Sequence, residues 1–342
     1  MPLPTGRKRR QRLLRHAALV SFLFTGVCFA QAPVPVDPAD RLIGEIETLA
    51  SAEPPLLGID TQTEAAKILL SARPAVARRF LDSALSRTRS LLDPHTVRNL
   101  MFPAVELLYK IDPDEAAQSI SSHLLSIQAR KPSLEDGLLL DSFSSILRLS
   151  HPSLADACHT EFERIRKLDP PSPEEIDKPK AKWPNTEGLN PDEFTDLARK
   201  QKDPLVRIEM LISVIDDKDT PPRRRAALAA EALAETEKLA IDDGDRLLSQ
   251  SMLTRRLFEA GDLPGAANAA QMLERTFMKL YDCESAACTS FKGEGSPGEA
   301  VRLFAEYLDD NRISPSDLGL THRSLTVRML LIELNRMLEE KK

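Results

Sequence analysis

The sequence predicts an all-α protein, and three observations support this fold class. Leucine outnumbers valine by roughly fifty to about eleven, and aromatic residues make up only 5% of the chain. Helices favour leucine, alanine and long charged side chains, whereas strands favour β-branched and aromatic residues. Apolar residues recur at intervals of three and four, and no convincing alternating strand pattern accompanies them. A short polar residue followed by proline precedes most of these periodic segments.

These polar-proline pairs mark eight expected helix starts. The polar side chain can accept a hydrogen bond from the free amides of a first helical turn, and proline at the next position removes no donor that the helix needs. Acidic residues follow several pairs, as in DPDEAA and NPDEF, which suits the positive end of the helix dipole. The pairs are Asp37-Pro38, Asp93-Pro94, Asp112-Pro113, Asn190-Pro191, Asp203-Pro204, Thr220-Pro221, Ser296-Pro297 and Ser314-Pro315.

The segments between these marks are amphipathic, and short linkers such as KIDPD join them. Short linkers force successive helices to pack as antiparallel neighbours. We therefore expect about twelve to fourteen helices, mostly paired as hairpins and stacked as an α-solenoid. Two apolar stripes illustrate the periodicity: Ala116, Ala117, Ile120, Leu124 and Ile127, and Val327, Leu330, Leu331, Leu334 and Leu338.

Residues 1–30 have the pattern of a signal peptide. A basic stretch precedes an apolar run that is shorter than the about 20 residues of a comfortable membrane span. Small residues before the expected cut place cleavage after Ala30, which leaves Gln31 first and predicts an exported protein, periplasmic or secreted. The alternative is an uncleaved N-terminal anchor, the one case in which we expect membrane contact. A lipoprotein interpretation of Cys28 is rejected because Val27 before it is bulky.

The chain is acidic, and the predicted cleavage makes it more so. Removal of the six basic residues of segment 1–30 changes the formal net charge from −6 to −12. Phosphate backbones are bound by lysine and arginine, so nucleic acid is not an expected partner. The densest basic run beyond the signal is PPRRRAAL, residues 221–228. It is either an anion or lipid-headgroup contact or the solvated first turn of a helix.

A segment rich in proline and charge, residues 169–190, separates two helical regions. We therefore divide the chain into a signal peptide (1–30), an N-terminal helical array (31–168), this linker and a C-terminal helical-repeat array (191–342). Trp183 lies inside the linker, where it either anchors a partner or, as we favour, pins the linker to a helical surface.

Three cysteines remain beyond the signal, and oxidising compartments permit disulfides. Cys158 is expected to be a small buried residue of a helix. Cys283 and Cys288 form a candidate disulfide. A regular helix would hold two residues five apart beyond normal bonding distance, so a bond would require a loop there.

Known catalytic and metal-binding motifs are absent from the sequence. It contains no HExxH, CxxC, CxxCH, GxSxG or GxxxxGK[ST] pattern. The segment GEGSPG, residues 293–298, has glycine-rich spacing, but no Lys-Ser or Lys-Thr follows it and it lies at an expected repeat corner, so we interpret it as a turn. A metal could recruit His151, Cys158, His159 and Glu161, but neighbouring residues on a helix point about 100° apart, which disfavours joint ligation. We expect no catalytic residue, no cofactor and no metal.

Spacing of small residues towards the C-terminus resembles the tetratricopeptide repeat. Gly261 and Ala266 are followed 34 residues later by Gly295 and Ala300. A 34-residue period, with glycine at the hairpin corner and alanine five residues later, is the pattern of that family. The match covers about residues 220–312 and is degenerate. No tryptophan opens either copy, Met278 and Arg312 stand where proline is common, and a third copy with Ala232 has Ala227 at the glycine position. A generic array of helical hairpins is the alternative. The matching residues are Leu253, Leu257, Gly261 and Ala266 in one copy and Phe291, Gly295, Ala300 and Phe304 in the other.

The resemblance implies closely packed helices and a role in binding other proteins, because stacked hairpins leave long concave surfaces. We expect an exported, non-enzymatic scaffold or adaptor whose protein partner the sequence does not identify. The alternatives are a membrane-tethered structural subunit of an envelope complex and an enzyme or metal carrier with an unrecognised site.

Overall fold

A computed structural model describes residues 37–168, 184–240, 244–281 and 298–340, and in these ranges the chain forms fourteen α-helices and no strand. The predicted all-α class is thereby confirmed. The first seven helices are α1 (Pro38–Ala52), α2 (Pro55–Leu69), α3 (Pro74–Thr88), α4 (Pro94–Ile111), α5 (Pro113–Gln128), α6 (Leu134–Leu147) and α7 (Pro152–Leu168). The others are α8 (Pro191–Arg199), α9 (Pro204–Asp216), α10 (Pro222–Thr236), α11 (Gly244–Glu259), α12 (Leu263–Tyr281), α13 (Glu299–Asp310) and α14 (Arg323–Glu339).

Five of the eight polar-proline pairs open an α-helix as predicted. Asp37, Asp93, Asp112, Asn190 and Asp203 each accept a hydrogen bond from an amide of the following first turn. At Asn190 a full capping box forms, because Glu193 returns a bond to the amide of Asn190.

The other three pairs differ. Thr220 does not cap, since α10 begins one residue later and the Thr220 hydroxyl donates instead to the carbonyl of Val214 at 2.8 Å. That bond satisfies one of the carbonyls left free at the end of α9. Ser314 precedes a short 3₁₀ helix, Pro315–Leu318, without a side-chain cap. Ser296-Pro297 lies outside the described residues.

The chain divides by its contacts into residues 1–41 and residues 42–342. Of the first unit the structure describes 37–41, the first turn of α1, where the carbonyl of Asp37 accepts from Asp40 and Arg41. The second unit contains the remainder of the described helices.

Within residues 42–342, most neighbours in sequence pack as pairs. Extensive contacts join α2 to α3, α6 to α7, α9 to α10 and α11 to α12. Non-neighbours also meet, since α4 contacts α2 and α6, and α14 at the C-terminal end contacts α2. One apolar core therefore combines α2, α3 and α4 with α11, α12, α13 and α14. A second core combines α8 to α12.

The division of the chain at residues 169–190 stays a prediction. Helices on its two sides share the first core through α2 and α14. Among the described residues, no helix is both long and apolar enough to span a membrane.

Candidate functional site

A continuous groove runs along α3 and α5 with α4 between them, and we name it the α3–α5 groove. Its two parts enclose about 300 and 410 Å³ and share the lining residues Leu85, Arg89, Ser119 and Ser122. The first part adds Asp82, Ser86, Leu108, Glu115 and Gln118. The second adds Thr88, Leu91, Leu92, Pro94, Val97, Met101, His123, Ser126 and Arg130.

Helical periodicity explains how these residues come to share one surface. On α5, Ser119, Ser122, His123 and Ser126 recur at three- and four-residue spacing and form one face. The opposite face, including Ile120, is buried. Helix α4 supplies apolar lining between the walls, and Leu92 in the α3–α4 turn is 76% exposed.

Hydroxyl groups give the walls their hydrogen-bonding character. Ser122 donates to the carbonyl of Gln118 at 2.9 Å, Ser126 to that of His123 at 2.8 Å, and Thr88 to that of Leu85 at 2.8 Å. A hydroxyl has one proton and two lone pairs. With the proton directed to the helix carbonyl, each oxygen still offers lone pairs that can accept a hydrogen bond from a ligand.

His123 adds a neutral ring to the wall of α5. Burial lowers the pKa of His123, so the imidazole is uncharged at neutral pH. Its ring meets that of Phe143 edge-on at 6.3 Å between centroids, and its buried Nε2 forms no hydrogen bond with the described residues.

Charge divides the groove into two ends. At the end where both helices begin, Arg78 of α3 reaches Glu115 at 2.7 Å and Asp112 at 3.5 Å. Asp82 stands beside them, and burial together with the charge of Glu115 raises its pKa. Arg89 lines both parts of the groove, is exposed and forms no ion pair with the described residues. At the other end, Arg130 is bound by Asp136 at 2.6 Å.

A second polar group lies between α2 and α14. Arg328 is 2% exposed, donates to Asp60 at 2.6 Å and is also bonded to Glu64, one turn further along α2. A Cβ atom at Gly298 would collide with Asp60 and Arg328, so only glycine fits there. We name Asp60, Glu64 and Arg328 the Arg328 cluster. Beside it, α2, α4, α13 and α14 enclose a more open cleft of about 1000 Å³ that carries both signs of charge.

The predicted repeat-packing residues lie at the helix–helix contacts of the C-terminal region where the structure describes them. Leu253, Leu257 and Ala266 are fully buried in the second core. Gly261 forms the α11–α12 corner with a φ of 78°, and Phe304 is buried in the first core. Ala300 belongs to α13, and its side chain is not described. Phe291, Gly295, Cys283, Cys288, Trp183 and the signal segment with Cys28 lie outside the described residues.

Ala227 has a different position from the one that the repeat pattern gives it. Ala227 is the counterpart of Gly261 in the repeat pattern, but it lies inside α10, whereas the turn before α10 spans residues 217–221. This copy therefore has a helix where the pattern places a corner.

The four residues considered for a metal are engaged separately. His151 pairs with Asp114 at 3.0 Å, and His159 with Asp141 at 3.4 Å. Glu161 is bound by Arg164, while Cys158 is buried and free, with its pKa raised to about 11 by that burial. The expectation of a buried Cys158 is confirmed. Throughout the described ranges, no three His, Cys, Asp or Glu side chains are grouped to hold a metal ion.

The basic run 221–228 is partly engaged within the fold. Arg224 pairs with Asp192 of α8 at 2.6 Å, and Arg225 donates to the carbonyls of Asp217 and Lys218. Two of the three arginines thus join α10 to neighbouring segments, which accounts for basic residues in a first helical turn.

The groove residues were missed by sequence reasoning, although one signal was present. The segment SISSHLLSIQAR places hydroxyls at 119, 122 and 126 on one face of an amphipathic helix. A solvated face looks the same in sequence, and only the position of α3 turns this face into the wall of a groove. Comparisons with protein-family models, curated proteins and solved structures gave no match.

Proposed function

We propose that this protein is an exported, non-enzymatic scaffold that binds another protein in the α3–α5 groove. The observation that carries the proposal is the groove itself, which combines apolar residues from α4 with acceptor-rich walls and an exposed Leu92. Mixed apolar and hydrogen-bonding surfaces of this kind suit polypeptide segments.

Length favours a polymer over a small molecule as the ligand. Glu115 near the start of α5 and Arg130 just beyond its end are fifteen residues apart, which corresponds to about 22 Å at the rise of a helix. The two parts of the groove are continuous along this length through Ser119 and Ser122. A compact metabolite would leave most of such a surface uncovered, whereas a polypeptide segment can follow it.

A finer architectural proposal accompanies this function. We propose that the helices stack as a solenoid in which α14 returns to pack on α2, with tetratricopeptide-like hairpins in about residues 220–312. The left-handed corner at Gly261 and the full burial of Ala266 support it. Export is supported by the pattern of residues 1–30, and an intact mass that begins at Gln31 would distinguish the exported chain from a tethered one.

Site-specific photocrosslinking in cells tests the binding proposal. A p-benzoylphenylalanine residue at Ser122 should give defined protein adducts that a second substitution in the groove, Ser119→Trp, abolishes. The matched control places the crosslinker at Thr160, exposed on α7. Identical adducts from both positions, or adducts indifferent to Ser119→Trp, would refute binding in the groove.

A further inference from the structure

We propose that the occupant of the α3–α5 groove is an extended polypeptide segment that places a lysine or arginine side chain beside Asp82 and Glu115 and apolar side chains along α4. The inference rests on the proposed function and deepens it by naming the conformation and chemistry of the bound segment. Three observations carry it: the Arg78 bridge across the end of the groove that we call the narrow end, the hydrogen bonds of its walls and the distribution of its charges.

The narrow end of the groove excludes a helical ligand. A single arginine, Arg78 on α3, spans the gap to Glu115 at 2.7 Å and to Asp112 at 3.5 Å, both at the start of α5. An α-helix with its side chains is about 10–12 Å across, which is more than this bridged gap can admit. An extended chain is thinner, and six or seven residues at about 3.3 Å each match the length of the groove.

The walls present acceptors to a ligand. Thr88 on α3 and Ser122 and Ser126 on α5 have each committed their proton to a backbone carbonyl. Their lone pairs can be satisfied only by donors. An extended segment carries unpaired backbone N–H groups on both edges, whereas a helix has already used most of its own.

The charges select a basic side chain at the narrow end. Asp82 and Glu115 both line this end, and Asp82, Glu115 and Asp112 share the charge of one arginine, Arg78. Burial and the proximity of Glu115 raise the pKa of Asp82, because each disfavours its ionised form. A cation from the ligand would relieve this repulsion, since Arg78 is already engaged by Glu115 and Asp112.

The opposite end does not offer a comparable site for an anion. Arg89 follows the last residue of α3, where a positive charge offsets the negative end of the helix dipole. Arg130 is neutralised by Asp136 through two hydrogen bonds, at 2.8 and 2.6 Å. Between the two ends, the half-buried Val97 of α4 and the exposed Leu92 of the α3–α4 turn offer apolar surface to side chains of the segment.

Fluorescence anisotropy with defined peptides tests the inference on the purified full chain. The probes are labelled, end-capped heptapeptides with basic and apolar residues on one face of a strand, KTLTVTS and its reversed order STVTLTK, because the chain direction is open. The comparison peptides carry glutamate in place of lysine. We expect at least one lysine peptide to bind about three- to tenfold more tightly than its glutamate counterpart.

Two variants locate this preference. Asp82→Asn keeps the size of an exposed side chain and should remove most of the lysine preference, whereas Asp156→Asn on α7, equally exposed, should leave it intact. Equal binding of lysine and glutamate peptides, an unchanged preference in Asp82→Asn, or no binding of any peptide would overturn the inference. Groove-dependent adducts at Ser122 together with any of these results would leave the proposed function standing, so the two failures are distinguishable.

Discussion

Arg328 is a buried charged residue whose partners come from a distant part of the chain. A guanidinium at 2% exposure loses its hydration, and its neighbours on α2, Asp60 and Glu64, replace it. Removing one partner from a buried ion pair leaves an uncompensated charge, which costs more than the intact pair contributes. The separation of Arg328 from Glu64 by 264 residues explains why no sequence pattern predicts the contact.

Replacement of Arg328 by methionine should lower the free energy of unfolding by about 3–5 kcal/mol at neutral pH. The reason is that the partly buried Asp60 and Glu64 would lose their nearest counter-charge and the hydrogen bonds that it donates. Urea unfolding measures the change, and Arg336→Met is the control, because Arg336 is 48% exposed and its pairs with Asp309 and Glu333 should contribute less than about 1 kcal/mol. Equal losses in both variants would contradict the role assigned to Arg328.

Lowering the pH should reduce the loss of stability caused by Arg328→Met. Burial raises the pKa of Glu64 above its ordinary value of 4.5, and the charge of Arg328 opposes that rise. A carboxyl group with a raised folded-state pKa favours folding in its protonated form, and this advantage is lost as the pH rises through the folded-state pKa. Without Arg328 the rise should be larger, so the stability difference between the variant and the wild type should narrow from pH 7 towards 4.5. A difference that is constant with pH would contradict this account.

Asp136, at the start of α6, has a lowered pKa, whereas that of Glu64 is raised. It is 2% exposed, and burial opposes its ionisation, but bonds from Arg130 and Ser133 outweigh burial and hold its pKa below the ordinary 3.8. A depressed carboxyl pKa contributes stability above the unfolded-state value, which is lost as the pH falls through the folded-state pKa.

Asp136→Asn should therefore cost about 1–3 kcal/mol at neutral pH, because it weakens the capping box with Ser133 and the bond to the half-exposed Arg130. The cost should shrink as the pH falls from 3.8 through the lowered folded-state pKa, below which the wild-type carboxyl group is also neutral. Thermal unfolding over a pH series measures this dependence. The control Asp141→Asn, whose carboxylate is 47% exposed, should change stability by less than about 1 kcal/mol at either pH.

At the scale of elements, helix starts were the most predictable feature. Asp93, Asp112 and Asn190 cap the helices that follow because their side chains need only local amides. Helices α2, α3, α7 and α10 also begin at proline, but a proline, an arginine, a histidine and another proline precede them. Such starts carry no capping signal in the sequence, and their positions depend on the packing of the helices.

At the α11–α12 corner, individual residues of the sequence account directly for the turn and for the packing that follows it. Gly261 has a φ of 78°, and the amide of Asp262 donates to the carbonyl of Leu257, which closes the end of α11. Ala266 then packs at full burial against the second core.

Ala266→Leu should lower stability by about 1–3 kcal/mol, because three additional carbon atoms cannot be placed without displacing neighbours. Chemical unfolding of the full chain is the measurement, and Ala230→Leu adds the same three carbon atoms at an exposed position of α10. A melt that is unchanged in Ala266→Leu would show that the two helices are not closely packed at this site.

At the scale of the whole chain, contacts that the sequence could not reveal determine the arrangement of residues 42–342. In a simple linear array each repeat contacts only its neighbours, whereas α14 packs on α2 and completes a core with α11, α12 and α13. Periodicity specified which faces of these helices are apolar. It could not specify that faces more than 250 residues apart in sequence would cover each other, and the groove beside α3 and α5 was unpredictable for the same reason.

The contact between α2 and α14 should be detectable by hydrogen exchange. If α2 and α14 open together, Arg328→Met should raise amide exchange in both helices, although the substitution lies on α14 alone. Asp136→Asn should raise exchange in α6 and its partner α7 and leave α14 unchanged, since the described contacts of α6 are with α4, α5 and α7. Hydrogen–deuterium exchange read out by mass spectrometry resolves these helices as separate peptides. Faster exchange confined to α14 in Arg328→Met would mean that α2 holds its structure without the C-terminal helix, and that the two ends of the chain fold as separate cooperative units.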